Sequence, residues 1–424
     1  MENQLPKNWA VRFFTIFTGQ AFSLIGSALV QFALVWYLTQ KTGSATVLAT
    51  AALFAMLPQL LLGPIAGTVV DRGNRRIIMI VSDGLIALSS LFLAYLFWTG
   101  QVQVWHIYLI SVIRSTGGAF HYPAMASSTT LMVPKKHLAR VSGANQAIQG
   151  LVSIIAPPMG AVLVAFMPTQ NILMIDVITA IMGITPLFFF AVPQPPRAAH
   201  LASEPRKSFT HDLAAGFKYM AAWPGLLMLG LIATLLNFLL APTSALAPLM
   251  VTKYFGKGAL ELGGLESFFG IGMIIGGVAL GIWGGFKRKI TTSLLAICLF
   301  SIAILGIAVA PPNMFWMMVT AQFVIGLMLP MANGPLQALF QTLVEPDMQG
   351  RVMSLIGSVA SAMMPLSLMI AGPITDATSL QTWYWLAGIV CIIISLGGFF
   401  IPALYNIEQN HQKNQSVIIP TPAD

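Results

Sequence analysis

The chain alternates between long apolar runs and short polar breaks. The runs occupy about 12–38, 45–70, 77–98, 103–130, 138–166, 171–192, 223–252, 262–285, 290–309, 313–341, 351–374 and 381–404. Each is near or above the roughly 20 residues a helix needs to cross a bilayer. None shows the period-two alternation of a barrel strand, and backbone in lipid must satisfy its own hydrogen bonds. Twelve transmembrane helices are therefore predicted, in an all-α polytopic membrane protein.

The polar breaks orient the spans. With the N-terminus inside, seventeen Lys and Arg fall in cytoplasmic segments, against Lys41, Lys253 and Lys257 outside. Both termini are expected in the cytoplasm of a multi-pass cell-membrane protein. Residues 193–222 form the longest break, with Pro193, Pro195, Pro196 and Pro205 among Arg197, Glu204, Arg206 and Lys207. They read as a cytoplasmic linker between six-helix halves at 1–192 and 223–406, with a tail at 407–424. Asp212 to Met220 suits a short amphipathic helix on the membrane surface. A repeat supports the halves: Pro123 and Pro134 recur 212 residues later as Pro335 and Pro346. Such parallel repeats suit a transporter with its site between them.

Composition sharpens this picture. Only 8% of the 424 residues are charged and 57% are hydrophobic, far from the usual soluble domain. The net charge of +8 is spread over short loops, so no nucleic-acid partner is implied. Cys298 and Cys391 sit in apolar runs and form neither a disulfide framework nor a metal site. Residues 1–12 are polar and lead into a run too long for a signal peptide. No phosphate-binding G-x-x-x-x-G-K-[ST], zinc-ligand cluster or G-x-S-x-G occurs, so neither ATP hydrolysis nor another enzyme activity is expected, and no cofactor.

Charged residues inside spans are costly and mark function by default. Four stand out: Asp83, Arg114, Asp176 and Glu266. Arg114, Gly118, His121 and Met125 share one helical face, expected to look into a cavity. Asp83 is open to a second role, as partner of the nearby arginines. Asp176 is equally open to an interhelical hydrogen bond, and Glu266 to solvation in an outer vestibule. Polar stripes run along span one (Gln20, Ser23, Ser27, Gln31) and span five (Ser142, Gln146, Gln149, Ser153). Asn237 lies in span seven, and Asn333 and Gln337 in span ten. Each residue could be glue between helices; together they suit a water-accessible cavity. Met56, Phe238, Phe268, Phe269, Met273, Met328, Met363 and Met364 lie in spans expected to border it. Such a mixture favours a large amphipathic ligand.

One loop carries a recognisable pattern. Gly67-Thr68-Val69-Val70-Asp71-Arg72-Gly73-Asn74-Arg75-Arg76 reads as G-x-x-x-D-R-x-x-R-R and resembles the loop between helices two and three of the major facilitator superfamily. Gly67 would let a neighbouring helix approach and Gly73 would permit a tight turn. Its counterpart, Gly281 to Lys289, keeps glycines and cations but no Asp. Gln20 to Ser27, Tyr37 to Ala45, Ile113 to His121, Val133-Pro134 and Ile175-Asp176-Val177 resemble Mef-type macrolide efflux proteins, in a drug- and siderophore-exporting branch of that superfamily. The likeness is dense over the first half and looser but collinear over the second.

The resemblance implies proton-coupled export of amphipathic drugs such as macrolides by a monomer in the bilayer, a role in antibiotic resistance. It implies that Gly67, Asp71, Arg72, Arg75 and Arg76 latch the halves on the cytoplasmic side. It implies that Arg114 and Gly118 match an R-x-x-x-G motif tied to proton coupling. Ala156-Pro157-Pro158-Met159-Gly160 matches the antiporter motif G-P-x-x-G-G only in part, because Ala156 and Ala161 replace glycines. Span one lacks the acid many relatives carry, so an acidic partner must come from elsewhere. Guanidinium stays protonated, so Arg114 would hold an acceptor ionised rather than carry the proton itself, with Asp176 the first choice of acceptor and Glu266 the second. Export of a natural metabolite such as a siderophore or lipid, and a non-transporting receptor or scaffold, remain open alternatives.

Overall fold

The computed structural model describes residues 8–194 and 209–409. Its helices in order are α1 (Trp9–Thr42), α2 (Ala45–Arg72), α3 (Arg75–Trp98), α4 (Val104–Met132), α5 (Leu138–Phe166), α6 (Thr169–Phe189), α7 (Phe209–Ala221), α8 (Pro224–Leu249), α9 (Ala259–Trp283), α10 (Lys289–Val309), α11 (Phe315–Leu343), α12 (Pro346–Ala377), α13 (Thr382–Phe400) and α14 (Pro402–Tyr405). No strand occurs among the described residues. The twelve predicted spans correspond to α1–α6 and α8–α13, and the fold is all-α in two six-helix halves.

Local chemistry explains why several helices overrun their apolar cores. Ser44 Oγ accepts from the Val47 N–H at 3.3 Å and starts α2. Asn74 Oδ1 accepts from Ile77 N–H at 3.3 Å and starts α3. Each satisfies an N–H that has no partner within its helix. Pro224 and Pro346 open α8 and α12, where a missing N–H costs nothing. Gly43 closes α1 in the left-handed region, φ +57°, where a side chain would be strained. The helix expected at 212–220 lies within α7; residues 195–208 of the expected linker lie outside the described residues.

Among the described residues, eleven helices are long and apolar enough by themselves to cross a membrane. The other span, α4, has 29 residues but carries His106, Arg114, His121 and several hydroxyls. It packs against α2 and α3, so its polar face meets protein. Elsewhere large apolar side chains stay outside: Phe166, Ile282 and Phe400 are 81%, 84% and 83% exposed. In water that surface would drive association, whereas in lipid it is matched.

The chain divides into two compact units, residues 1–203 with 251–267 and residues 204–250 with 268–424. The division departs from the expected halves at the start of α9. There Ser267 Oγ donates to the Ile154 carbonyl at 3.3 Å within the first unit. In the first unit α1 packs on α5 and α6, and α3 on α4 and α6; in the second, α8 packs on α12, and α10 on α11 and α13. Among the described residues of the first unit, two apolar clusters stand out. One gathers Phe13, Ile16, Phe17, Met79, Met132 and Leu187. The other gathers Leu29, Ala33, Val152, Ala156 and Ile172. Along α1 and α6, the polar residues lie between them.

Candidate functional site

The site is built on a close crossing of α1 and α6. A Cβ on Gly19 would lie 2.7 Å from the Met182 carbonyl, and one on Gly183 would lie 3.1 Å from Ser23 Cβ. With no side chains in the way, the two backbones meet, and the polar residues of α1 reach α6 and α3.

Four helices then contribute one residue each to a buried polar layer. Asp176 on α6 is wholly buried and pairs with Arg114 on α4, whose side chain is 11% exposed. Ser90 on α3 donates to Asp176 Oδ2 at 2.6 Å, and Ser27 on α1 donates to Oδ1 at 3.1 Å. Arg114 also donates to Ser90 Oγ. The carboxylate thus has a donor at each oxygen and an opposite charge, the condition for keeping a charge out of water.

A second layer lies seven residues along every one of these helices, about two turns or ~10 Å away. Gln20 on α1 donates Nε2 to Asp83 Oδ2 on α3 at 3.0 Å and to the Gly183 carbonyl on α6 at 3.1 Å. His121 on α4 places Nε2 3.4 Å from Asp83 Oδ1, without hydrogen-bond alignment. Ser27 and Gln20, Ser90 and Asp83, Arg114 and His121, and Asp176 and Gly183 are the four corresponding pairs.

The second layer borders a cavity of about 510 Å³ within the first unit. Gln20, His121, Ser142, Gln149 and Ser153 supply polar wall, and Phe17, Leu24, Tyr122, Met125 and Val152 supply apolar wall. Asn145, Thr129 and Thr130 also line it and were missed by the sequence reading. Asn145 lies three residues after Ser142 and four before Gln149, so helical spacing alone would have placed it on their face. The second unit holds a cavity of about 310 Å³ lined by Asn237, Gln322, Asn333, Phe269, Met364 and Tyr384. Asn333 stands 212 residues after His121, at the corresponding place in the repeat.

Several of the expected lining residues lie elsewhere in the structure. Arg114 and Gly118 do not line the cavity that His121 and Met125 line, because Arg114 turns to Asp176. Ser27 is likewise drawn to Asp176, and Ser23 is buried beside Gly183. Gln31, Gln146 and Gln337 are exposed and line neither cavity. Of the eight Met and Phe expected at the border, Phe269 and Met364 line a cavity. Glu266 is half-buried and forms no hydrogen bond or ion pair among the described residues.

Asp83 does not partner the arginines. It lies eight residues from Arg75, about 12 Å along the helix, and its oxygens go to Gln20 and His121. Arg75 donates Nη1 to the Ser127 carbonyl at 2.9 Å, and its N–H donates to Gln194 Oε1 at 3.2 Å. Arg76 donates to the Leu187 carbonyl, and through Nη2 to that of Phe188 at 2.9 Å. Arg76 therefore sits on the carbonyl end of α6, where the helix dipole is negative, and Arg75 sits on a carbonyl near the end of α4. Asp71 and Arg72 are exposed. Gly67 faces open space, with nothing within 4 Å of an added Cβ. Gly73 has an ordinary φ of −90° and closes α2 through its N–H on the Val69 carbonyl.

Comparison with known proteins agrees with this architecture. The sequence profile of the Major Facilitator Superfamily matches residues 16–283 and 227–418. The chain is 34% identical over 389 residues to macrolide efflux protein A of Streptococcus pyogenes, covering 91% of this chain and 95% of that protein. It is 25% identical over 396 residues to the multidrug efflux pump Tap of Mycolicibacterium fortuitum, covering 90% and 94%. In fold it is similar to a bacterial homolog of the human lysosomal transporter Spinster in an inward-facing, unoccupied conformation. That match has a TM-score of 0.65 and 16% identity over 98% of this chain and 99% of that one. The repeated helix pairings, the apolar spans and the profile match over both halves lead to one assignment: the chain belongs to the Major Facilitator Superfamily of membrane transporters.

Proposed function

We propose that this protein is a secondary active exporter that moves amphipathic drugs such as macrolides out of the cell in exchange for protons, with both termini cytoplasmic. The observation that carries the reading is a buried charged layer joining α1, α3, α4 and α6 in the same unit as a cavity of mixed polarity. The 34% identity to a macrolide efflux protein supports the substrate class. Charge buried in a span is retained where it serves an ion pathway. Arg114, Asp176, Asp83 and Glu266 form the proton-coupling set of this reading, and Arg114 stays protonated throughout. Gln20, Gln149 and Asn145, with the apolar wall, supply the polar and greasy contacts of the substrate site. Gly67, Asp71, Arg72, Arg75 and Arg76 form the cytoplasmic latch, with Arg75 and Arg76 anchoring it to α4 and α6.

The test uses inside-out proteoliposomes with an acid lumen. Labelled erythromycin should accumulate in the lumen, and a protonophore should stop it. Accumulation that ignores the gradient would refute proton coupling. Movement of a siderophore or lipid but no macrolide would replace the substrate class, and no substrate-dependent proton flux at all would favour a receptor.

A further inference from the structure

The two buried layers differ in what they can do with a proton. In the first, the Asp176 carboxylate is fully enclosed and both its oxygens are taken by Arg114, Ser90 and Ser27. A proton could reach it only if Arg114 withdrew. In the other layer, Asp83 is 4% exposed and carries no Arg or Lys partner. Its neighbours are the neutral amide of Gln20 and the imidazole of His121, and both residues form part of the cavity wall.

The charged and titratable groups around His121 are few. Asp83 faces it from α3. From α1 comes Gln20, which is neutral. From α6 come the Gly183 carbonyl and, one layer away, Asp176, already held by Arg114 of α4 itself. Across the cavity α5 presents Asn145 and Gln149, both neutral. On α2 the titratable groups are Asp71 and Arg72 at its far end, and Arg75 at the start of α3 is committed to the Ser127 carbonyl.

We propose that Asp83, His121 and Gln20 form a one-proton site that exchanges with the cavity, separate from the Arg114–Asp176 pair. With Nε2 unprotonated, its lone pair faces a carboxylate and the layer holds one uncompensated negative charge. A proton from cavity water sits between Nε2 and Oδ1, turns that repulsive contact into an N–H···O bond, and makes the layer neutral. In water-poor surroundings the neutral arrangement is strongly preferred. Gln20 is a positioning residue: its amide fixes the carboxylate rotamer by bridging α3 and α6. Once the proton leaves, the exposed wall lies over a net negative charge, which attracts a cationic amphiphile into the cavity. Proton and cation thereby exclude each other.

This inference deepens the proton-coupled reading and rests on it for its place in the transport cycle, but its test needs no substrate. Full-length protein in nanodiscs, without ligand, is shifted from pH 8 to pH 5 and its proton uptake recorded with a pH dye. Wild type should take up about one proton per chain more than His121→Gln or Asp83→Asn, since histidine is the group that ordinarily titrates in this window. Asp83→Asn keeps an oxygen for the Gln20 amide, and His121→Gln leaves the Asp83–Gln20 bond intact. Should Asp83→Asn fail to fold, His121→Gln decides alone. Uptake equal to wild type in a folded variant overturns the proposal, whatever the chain exports. Loss of the proton in a protein that moves no macrolide sinks the export reading and leaves the proton site standing.

Discussion

Replacing Asp176 by Asn isolates the Arg114–Asp176 layer. The amide keeps the size of the side chain and can still offer its oxygen to Arg114 and Ser90, with its NH2 toward the Ser27 hydroxyl, but it carries no charge. The guanidinium, 11% exposed, is left charged and unpaired. Breaking a buried pair in this way costs about 3–5 kcal/mol. That is a fall of roughly 140- to 3700-fold in the ratio of folded to unfolded protein, at about 1.4 kcal/mol per tenfold. Arg114→Met should cost a similar amount by stranding the carboxylate. The double variant Arg114→Met, Asp176→Leu removes both charges and should lie much nearer wild type than either single change, as buried pairs replaced by apolar side chains often do. Thermal unfolding of the purified chain, followed by the fluorescence of its nine tryptophans, measures all three against wild type. Two results would refute the reasoning: an Asp176→Asn protein as stable as wild type, or single-variant losses that simply add in the double variant. Either would mean that the pair is not formed in the populated state.

Two further outcomes test the packing and the orientation. Gly19→Val should separate α1 from α6 and destabilise the chain, because its Cβ would lie 2.7 Å from the Met182 carbonyl, whereas Gly118→Ala, with nothing within 4 Å, should leave thermal stability unchanged; equal effects would remove the seam as the site's foundation. Gly73→Cys should react with an impermeant maleimide only from the cytoplasm and Gly258→Cys only from outside; the reverse pattern would invert the topology.

The sequence by itself determined the class of the protein, its spans and the inventory of its chemistry. Apolar length is a property of each segment alone, so it reveals a span without knowledge of its neighbours. The same holds for the face shared by His121 and Met125, or by Ser142 and Gln149, since helical period is local. Tertiary structure decided which face meets which helix. That depends on the rotation and depth of each helix, set here by close approaches such as Gly19 to Met182 and Gly183 to Ser23. Hence Ser27 and Arg114 left the cavity for Asp176, and Asp83 joined His121 across α3 and α4 rather than the arginines on its own helix. A seven-residue interval repeated on four helices is visible in the chain only once those four are known to be neighbours. The two layers therefore emerge from packing: Gln20, Ser27, Asp83, Arg114, His121 and Asp176 were legible as polar groups within apolar spans, whereas Ser90 and Gly183 were not singled out.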